Sequence, residues 1–391
     1  MIESFLIPVI AGAVLAVAKG KKMDDRKKIE KVFEKCLQKD DQEPVEFIRQ
    51  RKYETYTEFV YRLPFYLSFS QIEQKQEHFE NALNKRIEFS FDGMLRVKVF
   101  ENELPEMFEL TNEIIDRCKG WTIPVGIDQQ GDIHFHDFDR IMHMIVAGTT
   151  QYGKTVFLKM LITVLAANDP EHVRFTLIDL KGGLAFQRFA NLQQVVSVAS
   201  DAQEALMALK HIKTDIEKRL KDFKAAGFEN IRDSKIKERH FIVVDEAAEL
   251  SPAGYKGQDK ALRQECENIM SYIARVAGGV GYRLIYATQY PTSDVLPRQI
   301  KQNCDSKVCF RLQTAKASEV VLNEKGAEKL PFIKGRCIYL TDKPVILQAP
   351  YISNEFIDDI LKPYKMEKRV NAVEHHSNEP STPDGYTIEF K

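Results

Sequence analysis

The stretch from Ile141 to Thr155 constrains the fold more than any other part of the chain. It begins with a short apolar run, Ile141–Ala147, of the kind that forms a buried strand. The pattern G-x-x-x-x-G-K-T follows from Gly148 to Thr155, and an apolar helical pattern then continues until Asp169-Pro170 stops it. A strand, a glycine-bounded loop and a helix in this order predict a phosphate-binding loop.

The residues of this loop suit a nucleoside triphosphate. Successive backbone N–H groups can surround phosphate oxygens, and the helix N-terminus adds partial positive charge. Lys154 is predicted to contact the β- and γ-phosphates, and the Thr155 hydroxyl to ligate Mg²⁺. The alternative is an ordinary strand–turn–helix that matches the pattern by chance. The predicted nucleotide-binding residues are Gly148, Thr149, Thr150, Gln151, Tyr152, Gly153, Lys154 and Thr155.

Two later strands end in polar residues that suit the same site. His240–Val244 runs directly into Asp245 and Glu246. We expect Asp245 to hold Mg²⁺ and Glu246 to orient and polarise the attacking water. Gln289 follows a further strand, and a parallel sheet would bring it to the same edge, where it could sense the γ-phosphate. The alternatives are a buried strand that ends in two acids by chance and a loop amide with a purely structural role.

Strands and helices alternate along the large domain, which we place at residues 121–350. Further strands are predicted at Val173–Ile178, Lys307–Leu312 and Gly335–Leu340, with a helix near residues 201–224. This alternation predicts an α/β fold with a mainly parallel sheet.

Residues 45–120 are predicted to form a small α+β domain for scaffolding or partner contact. Its strands are expected at Thr57–Leu63, Arg86–Phe91 and Leu95–Phe100, and Asp92-Gly93 is a hairpin turn signal. A helix from Gln71 to Lys85 would be capped by Ser70, with Glu73 in the capping-box position.

The two ends of the chain differ from these domains. Residues 4–18 are apolar and uncharged and precede a basic cluster, which predicts a single-pass membrane anchor at residues 1–20 with the bulk of the chain after it in the cytoplasm. The alternatives are a cleaved signal peptide and a buried soluble helix. A signal peptide would need a basic segment before the apolar run, and none precedes it here. Residues 21–44 are predicted to be a helical linker whose amphipathic helix has a modest apolar stripe of Ile29, Val32, Phe33 and Leu37. Residues 351–391 are predicted to be a largely disordered tail, with the disorder in the polar residues 367–391.

Overall charge does not indicate a nucleic-acid partner, because the formal net charge is −1. DNA binding would therefore need a local basic surface, for which loop lysines and arginines are the candidates. The six cysteines are scattered without a C-x-x-C pair, so neither a zinc ribbon nor a thioredoxin-like motif is indicated. The alternative for any one of them is a residue of the solvated surface. The candidate phosphate contacts are Lys181, Arg188, Lys256 and Lys260.

Six motifs, in order, resemble those of the FtsK/SpoIIIE DNA translocases over residues 121–345. Lys181-Gly182-Gly183 and the preceding small domain look most like the plasmid and integrative-element branch, which includes conjugative coupling proteins. The motifs are Val146–Thr155, Leu177–Lys181, Ile242–Leu250, Ala274–Gly278, Ala287–Gln289 and Gly326–Leu330.

This resemblance implies a RecA-like motor that forms a homohexameric ring and pumps double-stranded DNA with ATP and Mg²⁺. Lys154, Asp245, Glu246 and Gln289 then have catalytic roles, and Arg275 or Arg311 could complete the site of a neighbouring subunit. The family often has Gly-Ser where this chain has Gln151-Tyr152. The winged helix that ends the chromosome translocases does not fit into the residues after Pro350.

Three functional hypotheses follow. The first is a membrane-tethered DNA pump that acts as coupling protein for a mobile element, with a relaxase and transfer-channel proteins as partners. The second is a translocase for host or phage DNA. The third is an ATP-binding recruitment module that docks a relaxase and moves no DNA.

Overall fold

The computed structural model describes residues 23–38 and 42–366, which form two compact units. The small unit contains the described residues up to Phe108 together with Gly126–His134 and Ile346–Gln348. The large unit contains Glu109–Val125, Phe135–Val345 and the described residues from Ala349 onward. The anchor predicted at residues 4–18 lies outside the described residues, and among those described no helix is long and apolar enough to span a membrane.

A four-stranded antiparallel sheet with the strand order β1-β2-β4-β3 forms the centre of the small unit. The hairpin turn between β3 and β4 contains Gly93, whose φ of 86° is readily adopted by glycine. The elements are α1 (Asp25–Cys36), β1 (Glu46–Lys52), β2 (Tyr56–Arg62), α2 (Phe69–Glu73), α3 (Gln76–Leu83), β3 (Ile87–Phe91) and β4 (Leu95–Phe100).

Helix α1 belongs to the core of the small unit, which differs from the linker predicted for residues 21–44. Ile29, Val32 and Phe33 are buried, and the Phe33 ring lies 5.3 Å from the ring of Tyr61 and 5.1 Å from that of Phe79. The charged residues of α1 cover its outer face, and the apolar stripe visible in the sequence packs on the sheet.

The first helix after β2 begins earlier than predicted, because the cap is Ser68 and not Ser70. Ser68 and Gln71 form the capping box, with Gln71 N–H donating to Ser68 Oγ at 3.4 Å and Ser68 N–H donating to Gln71 Oε1 at 2.9 Å. Both serines fit the capping-box pattern, but with Ser68 as the cap the residue before the cap is Leu67 and the fourth helical residue is Ile72, and both are buried in the same core as a hydrophobic staple. The predicted single helix is also wrong, since α2 and α3 are separate.

The large unit is built on a ten-stranded sheet with the order β6-β5-β14-β13-β12-β7-β11-β10-β8-β9. The six strands from β12 to β9 in this order are mutually parallel, and β13 is antiparallel to β12, which confirms the predicted mainly parallel α/β fold. The strands are β5 (Thr122–Ile127), β6 (Ile133–Asp137), β7 (Met144–Ala147), β8 (Val173–Asp179), β9 (Val195–Ala199), β10 (Arg239–Asp245), β11 (Tyr282–Thr288), β12 (Ser306–Phe310), β13 (Arg336–Leu340) and β14 (Pro344–Gln348).

Helices cover this sheet with regular apolar stripes. Helix α6 begins at the cap Asp201, whose carboxylate accepts two backbone N–H groups, and buries Leu209, Ile212 and Ile216 against the sheet and α7. The helices are α4 (Asn112–Arg117), α5 (Lys154–Asn168), α6 (Ala202–Ala226), α7 (Gly257–Val276), α8 (Arg298–Asn303), α9 (Ala315–Leu322) and α10 (Asn354–Leu361).

The described beginning of the predicted tail is folded onto the large unit. Ser353 caps α10, which buries Ile357 and Leu361. After it, Met366 N–H donates to the Asn191 carbonyl at 2.9 Å. The disorder predicted for residues 367–391 concerns a part of the tail that lies outside the described residues.

An ion triad joins the amino ends of β10 and β11, which are the strand ends opposite the phosphate-binding loop. Asp139 accepts hydrogen bonds from Arg239 at 2.9 Å and from Arg283 at 2.8 Å. Burial opposes ionisation of Asp139, but the two guanidinium groups outweigh it and lower its pKa. Removing one partner of a buried ion pair typically costs ~3–5 kcal/mol of folding stability. The triad therefore holds β10 and β11 together at their amino ends.

Three histidines of the large unit are buried and neutral. Burial lowers the pKa of His136 to about 4, and the pKa of His143 and of His240 to about 3. His143 Nδ1 accepts the Leu284 N–H at 2.9 Å, and His240 Nε2 lies 2.9 Å from the Thr176 hydroxyl. Each imidazole is thus held by a hydrogen bond that its neutral form can make.

We expect the large unit to lose stability as the pH falls below about 6.5. The unfolded chain protonates its histidines near that value, whereas the folded chain resists protonation until pH 3–4. Stability is therefore fully present above pH 6.5 and declines by up to ~1.4 kcal/mol per pH unit for each histidine as the pH falls towards the folded pKa.

Urea unfolding at pH 7 and pH 5 measures this effect. Between these values His240→Gln should remove ~2 kcal/mol of the pH dependence. A pH dependence in His240→Gln equal to that of the wild type would contradict the assignment.

Candidate nucleotide-binding site

The phosphate-binding loop between β7 and α5 turns its backbone N–H groups into one concave surface. Gln151 and Gly153 have positive φ values of 73° and 115°, which reverse the direction of the chain at each position. Within the described part of the chain, the N–H groups of Thr150, Gln151 and Gly153 have no hydrogen-bond partner. These donors suit the oxygens of a phosphate chain.

Close packing explains why the loop needs its two glycines. A Cβ on Gly148 would lie 2.6 Å from Phe310 Cβ, and one on Gly153 would lie 3.2 Å from the backbone of Gly335. Gln151 adopts its left-handed conformation without being glycine, which typically costs ~1–3 kcal/mol. The loop is thus held against β12 and the start of β13 at the expense of local strain.

Lys154, Asp245 and Glu246 lie together, as the sequence predicted. The Lys154 ammonium is paired with the Asp245 carboxylate and lies 3.9 Å from Glu246 Oε2. All three residues are at most 4% exposed. Lys154 is the first residue of α5, Asp245 ends β10 and Glu246 follows it, so the parallel sheet brings these distant segments together at the carboxyl ends of its strands.

Glu246 has the geometry of a positioned base. Its φ of 63° directs the carboxylate back towards the sheet, where Oε1 accepts the Gln289 N–H at 3.1 Å and the Thr288 hydroxyl at 3.2 Å. Oε2 is buried and accepts no hydrogen bond within the described residues, although Lys181 Nζ lies 3.1 Å away as an ion-pair partner. One oxygen therefore anchors the side chain while the other faces the ammonium groups of Lys181 and Lys154.

Gln289 links the phosphate-binding loop to the acidic pair. Its Oε1 accepts the Thr150 hydroxyl at 2.9 Å, and its backbone N–H donates to Glu246. A shift of Thr150 on phosphate binding would therefore reach Glu246 through a single residue. This arrangement suits the sensor role predicted for Gln289.

Two contributors to the site were not recognised in the sequence. Lys181 was named only as a candidate for DNA contact, and in the structure it pairs with Glu246. Asp179 shapes the loop that presents Lys181, because its carboxylate accepts the N–H groups of Lys181 at 3.1 Å and Ala185 at 2.7 Å. The available signal was the acidic end of β8, which adjoins β10 in the parallel sheet.

The two candidate arginines lie in different surroundings. Arg311 follows β12 and is bound within its own chain, where it donates to the Leu330 carbonyl and its guanidinium lies 3.9 Å from the centre of the Phe332 ring. Arg275 is exposed near the end of α7 and has no hydrogen bond or ion pair in the described residues. The structure therefore brings Arg311, but not Arg275, into contact with the phosphate-binding loop of the same chain.

The side chains predicted to ligate Mg²⁺ are a hydroxyl and a carboxylate. Thr155 follows Lys154 directly, and its hydroxyl has no hydrogen-bond partner among the described residues. No group of three His, Cys, Asp or Glu residues in those ranges could hold a metal ion. Because Mg²⁺ in phosphate-transfer sites usually takes one or two protein ligands plus phosphate oxygens and water, Thr155 and Asp245 fit the ion.

Comparison with known proteins identifies the domain that carries this site. Residues 112–293 match the FtsK/SpoIIIE family. The chain is 30% identical over 281 residues to the DNA translocase FtsK of Campylobacter jejuni subsp. jejuni, which covers 68% of this chain and 28% of that protein. The chain carries an FtsK/SpoIIIE family domain. The DNA translocase SftA of Bacillus subtilis is 29% identical over 255 residues, covering 61% of this chain and 26% of SftA.

Solved structures share the fold of the FtsK/SpoIIIE domain. The pCW3 conjugation coupling protein TcpA, in its monomer form with ATPγS, aligns with a TM-score of 0.63 at 23% identity and covers 87% of this chain and 99% of that chain. The type VII secretion ATPase EccC of Thermomonospora curvata aligns with a TM-score of 0.53 at 20% identity over 68% of this chain and 33% of that chain. These likenesses confirm a P-loop ATPase-like α/β fold.

We expect Lys154→Ala and Glu246→Gln to fail in different ways. Lys154→Ala should weaken ATP binding and abolish turnover, because it removes the cation of the FtsK/SpoIIIE phosphate-binding loop and leaves Asp245 without its buried partner. Glu246→Gln keeps the hydrogen-bonding oxygen and should bind ATP normally but hydrolyse it at least ~100-fold more slowly. ATP affinity and turnover of both variants are the measurements, and near-normal turnover by Glu246→Gln would exclude its role as the base.

Proposed function

We propose that this chain is an ATP-driven double-stranded DNA translocase that works as a homohexamer. We further propose that residues 4–18 anchor it in the cell membrane, with the motor in the cytoplasm. There it would act as the coupling protein in conjugative transfer of a plasmid or integrative element, with a relaxase and transfer-channel proteins as partners. The matched part of this chain covers 28% of the Campylobacter translocase, so the activity of that whole protein is part of the proposal.

The observation that carries the proposal is the meeting of Lys154, Asp245 and Glu246 beside free loop N–H donors. Phosphoryl transfer needs little covalent help from the protein and depends mainly on positioning and charge neutralisation. Lys154 and the loop N–H groups would bind the phosphates, and Glu246 Oε2 would take the proton of the attacking water. Mg²⁺, held by Thr155 and Asp245, would neutralise phosphate charge when bound.

Lys256 and Lys260 support the DNA part of the proposal best among the four basic candidates. Arg188 is paired with Asp358, and Lys181 with Glu246. Lys256 and Lys260 are exposed around the start of α7 and form no ion pair within the described residues. In a ring, copies of these lysines from several subunits would neutralise several phosphates together.

The decisive measurement is the ATPase rate of the full chain with and without duplex DNA of unrelated sequences. A translocase should show stimulation by every duplex, and the log of its DNA affinity should fall linearly with the log of salt concentration. Lys256→Ala together with Lys260→Ala should reduce the salt slope. An ATPase indifferent to DNA would favour the recruitment module.

A chain lacking residues 1–20 should keep the stimulated ATPase but lose membrane association and conjugative transfer. Full conjugative transfer by the shortened chain would exclude the anchor.

We propose Arg275 as the arginine that completes the site of a neighbouring subunit. Its side chain is exposed and free of intrachain partners in the described ranges, whereas Arg311 is bound to Leu330 and Phe332. An arginine supplied in trans can accelerate phosphoryl transfer by ~10³-fold or more. Arg275→Ala subunits mixed with Lys154→Ala subunits should therefore regain activity that neither has alone. Mixtures that stay inactive would argue against a role in trans.

A further inference from the structure

The order of strands fixes the direction in which a nucleotide would lie across the phosphate-binding loop. The loop follows β7, which has β11 and β10 on one side and β12 and β13 on the other. Gln289 and Glu246, at the ends of β11 and β10, mark the side where the γ-phosphate is attacked. The ribose and base of the same nucleotide must then extend towards β12 and β13.

On the β12 and β13 side, an aromatic side chain next to the phosphate-binding loop is exposed to solvent. Phe332 lies in the segment between Leu330 and β13 and is 78% exposed. One side of its ring faces the Arg311 guanidinium at 3.9 Å, and the ring of Tyr152 lies 6.3 Å away at an angle of 50°. The two aromatic rings lie side by side next to the phosphate-binding loop, and the Phe332 ring is open to a ligand.

The segment that carries Phe332 is attached to the phosphate-binding loop at both ends. At one end Arg311 binds the Leu330 carbonyl, while the Arg311 carbonyl accepts the Thr149 N–H at 3.1 Å and the Thr149 hydroxyl at 3.0 Å. At the other end Gly335 N–H donates to the Tyr152 carbonyl at 2.9 Å. The position of the Phe332 ring is therefore coupled to that of the loop.

We propose that Phe332, backed by Arg311 and flanked by Tyr152, is the platform on which the nucleotide base stacks. The inference rests on the proposed ATP-binding function and extends it to the base. Arg311 then holds the ring in place through a cation–π contact, which gives it a positioning role within its own chain. Stacking uses the π-face that every base has, so the platform contributes affinity for purine nucleotides and discriminates little between adenine and guanine.

The test compares ATP with inorganic tripolyphosphate, which has the phosphates but no base. Phe332→Ala and Phe332→Leu should each weaken ATP and GTP binding by about 5- to 150-fold and leave tripolyphosphate binding unchanged. Phe332→Trp, which keeps an aromatic ring at this position, should bind ATP with the affinity of the wild type. Phe65 is exposed and belongs to the small unit, so Phe65→Ala is the matched control and should bind both ligands as the wild type does. Affinities are measured by calorimetry on the full chain.

A spectroscopic readout separates stacking from a general loss of structure. The chain has a single tryptophan, Trp121, which is buried, so Phe332→Trp adds one exposed fluorophore. ATP should quench its fluorescence and tripolyphosphate should not. Equal quenching by both ligands, or an unchanged ratio of ATP to tripolyphosphate affinity in Phe332→Ala, would overturn the proposal.

Two further outcomes are distinguishable. If the wild type binds neither ATP nor tripolyphosphate, the proposed function itself fails. If Phe332→Ala alters subunit assembly while the affinity ratio stays that of the wild type, Phe332 is a contact between subunits and the base platform is excluded.

Discussion

The buried contact between the Lys154 ammonium and the Asp245 and Glu246 carboxylates is the interaction on which the site depends. Removing such charges from water costs several kcal/mol per ion, and only close pairing offsets that cost. Lys181 contributes a second cation, so two positive and two negative groups lie within a few ångströms of one another. Phosphate oxygens would compete with Asp245 for Lys154, and a divalent cation would replace the lysine beside Asp245. The same charges that make the site stable without a nucleotide therefore favour binding of phosphate and metal together.

Contacts at the amino ends of the strands hold these groups in place from the opposite side of the sheet's central strands. Asp139 binds Arg239 and Arg283 at the amino ends of β10 and β11, and His143 binds the backbone of Leu284 beside them. Groups at the carboxyl ends, including Glu246 and Gln289, lie one strand length away from these contacts. The strands are thus held firmly where no chemistry occurs, which leaves their opposite ends free to exchange partners with a ligand without loosening the sheet.

Local signals in the sequence predicted the centre of the large unit well. The phosphate-binding loop and the acidic end of β10 were recognised because each lies within a few residues and has a direct chemical reason. Long-range placement was not predictable: Lys181 was only a candidate for a DNA surface, and α1 was expected to be a linker, because the sequence does not show what packs against either. The cap at Ser68 was missed because two overlapping patterns fit, and burial of Leu67 and Ile72 selects between them.

The two sides of the phosphate-binding loop differ in how strongly the fold constrains them. On the γ-phosphate side, Lys154, Asp245 and Glu246 are buried, and Glu246 has a backbone conformation that few residues adopt. A substitution there disturbs charges that the core must keep paired. On the β12 side, Phe332 is exposed and belongs to a short segment attached at Arg311 and Gly335. Changes to that ring leave the buried charges untouched, so affinity for the rest of the nucleotide can be adjusted separately from the chemistry of hydrolysis.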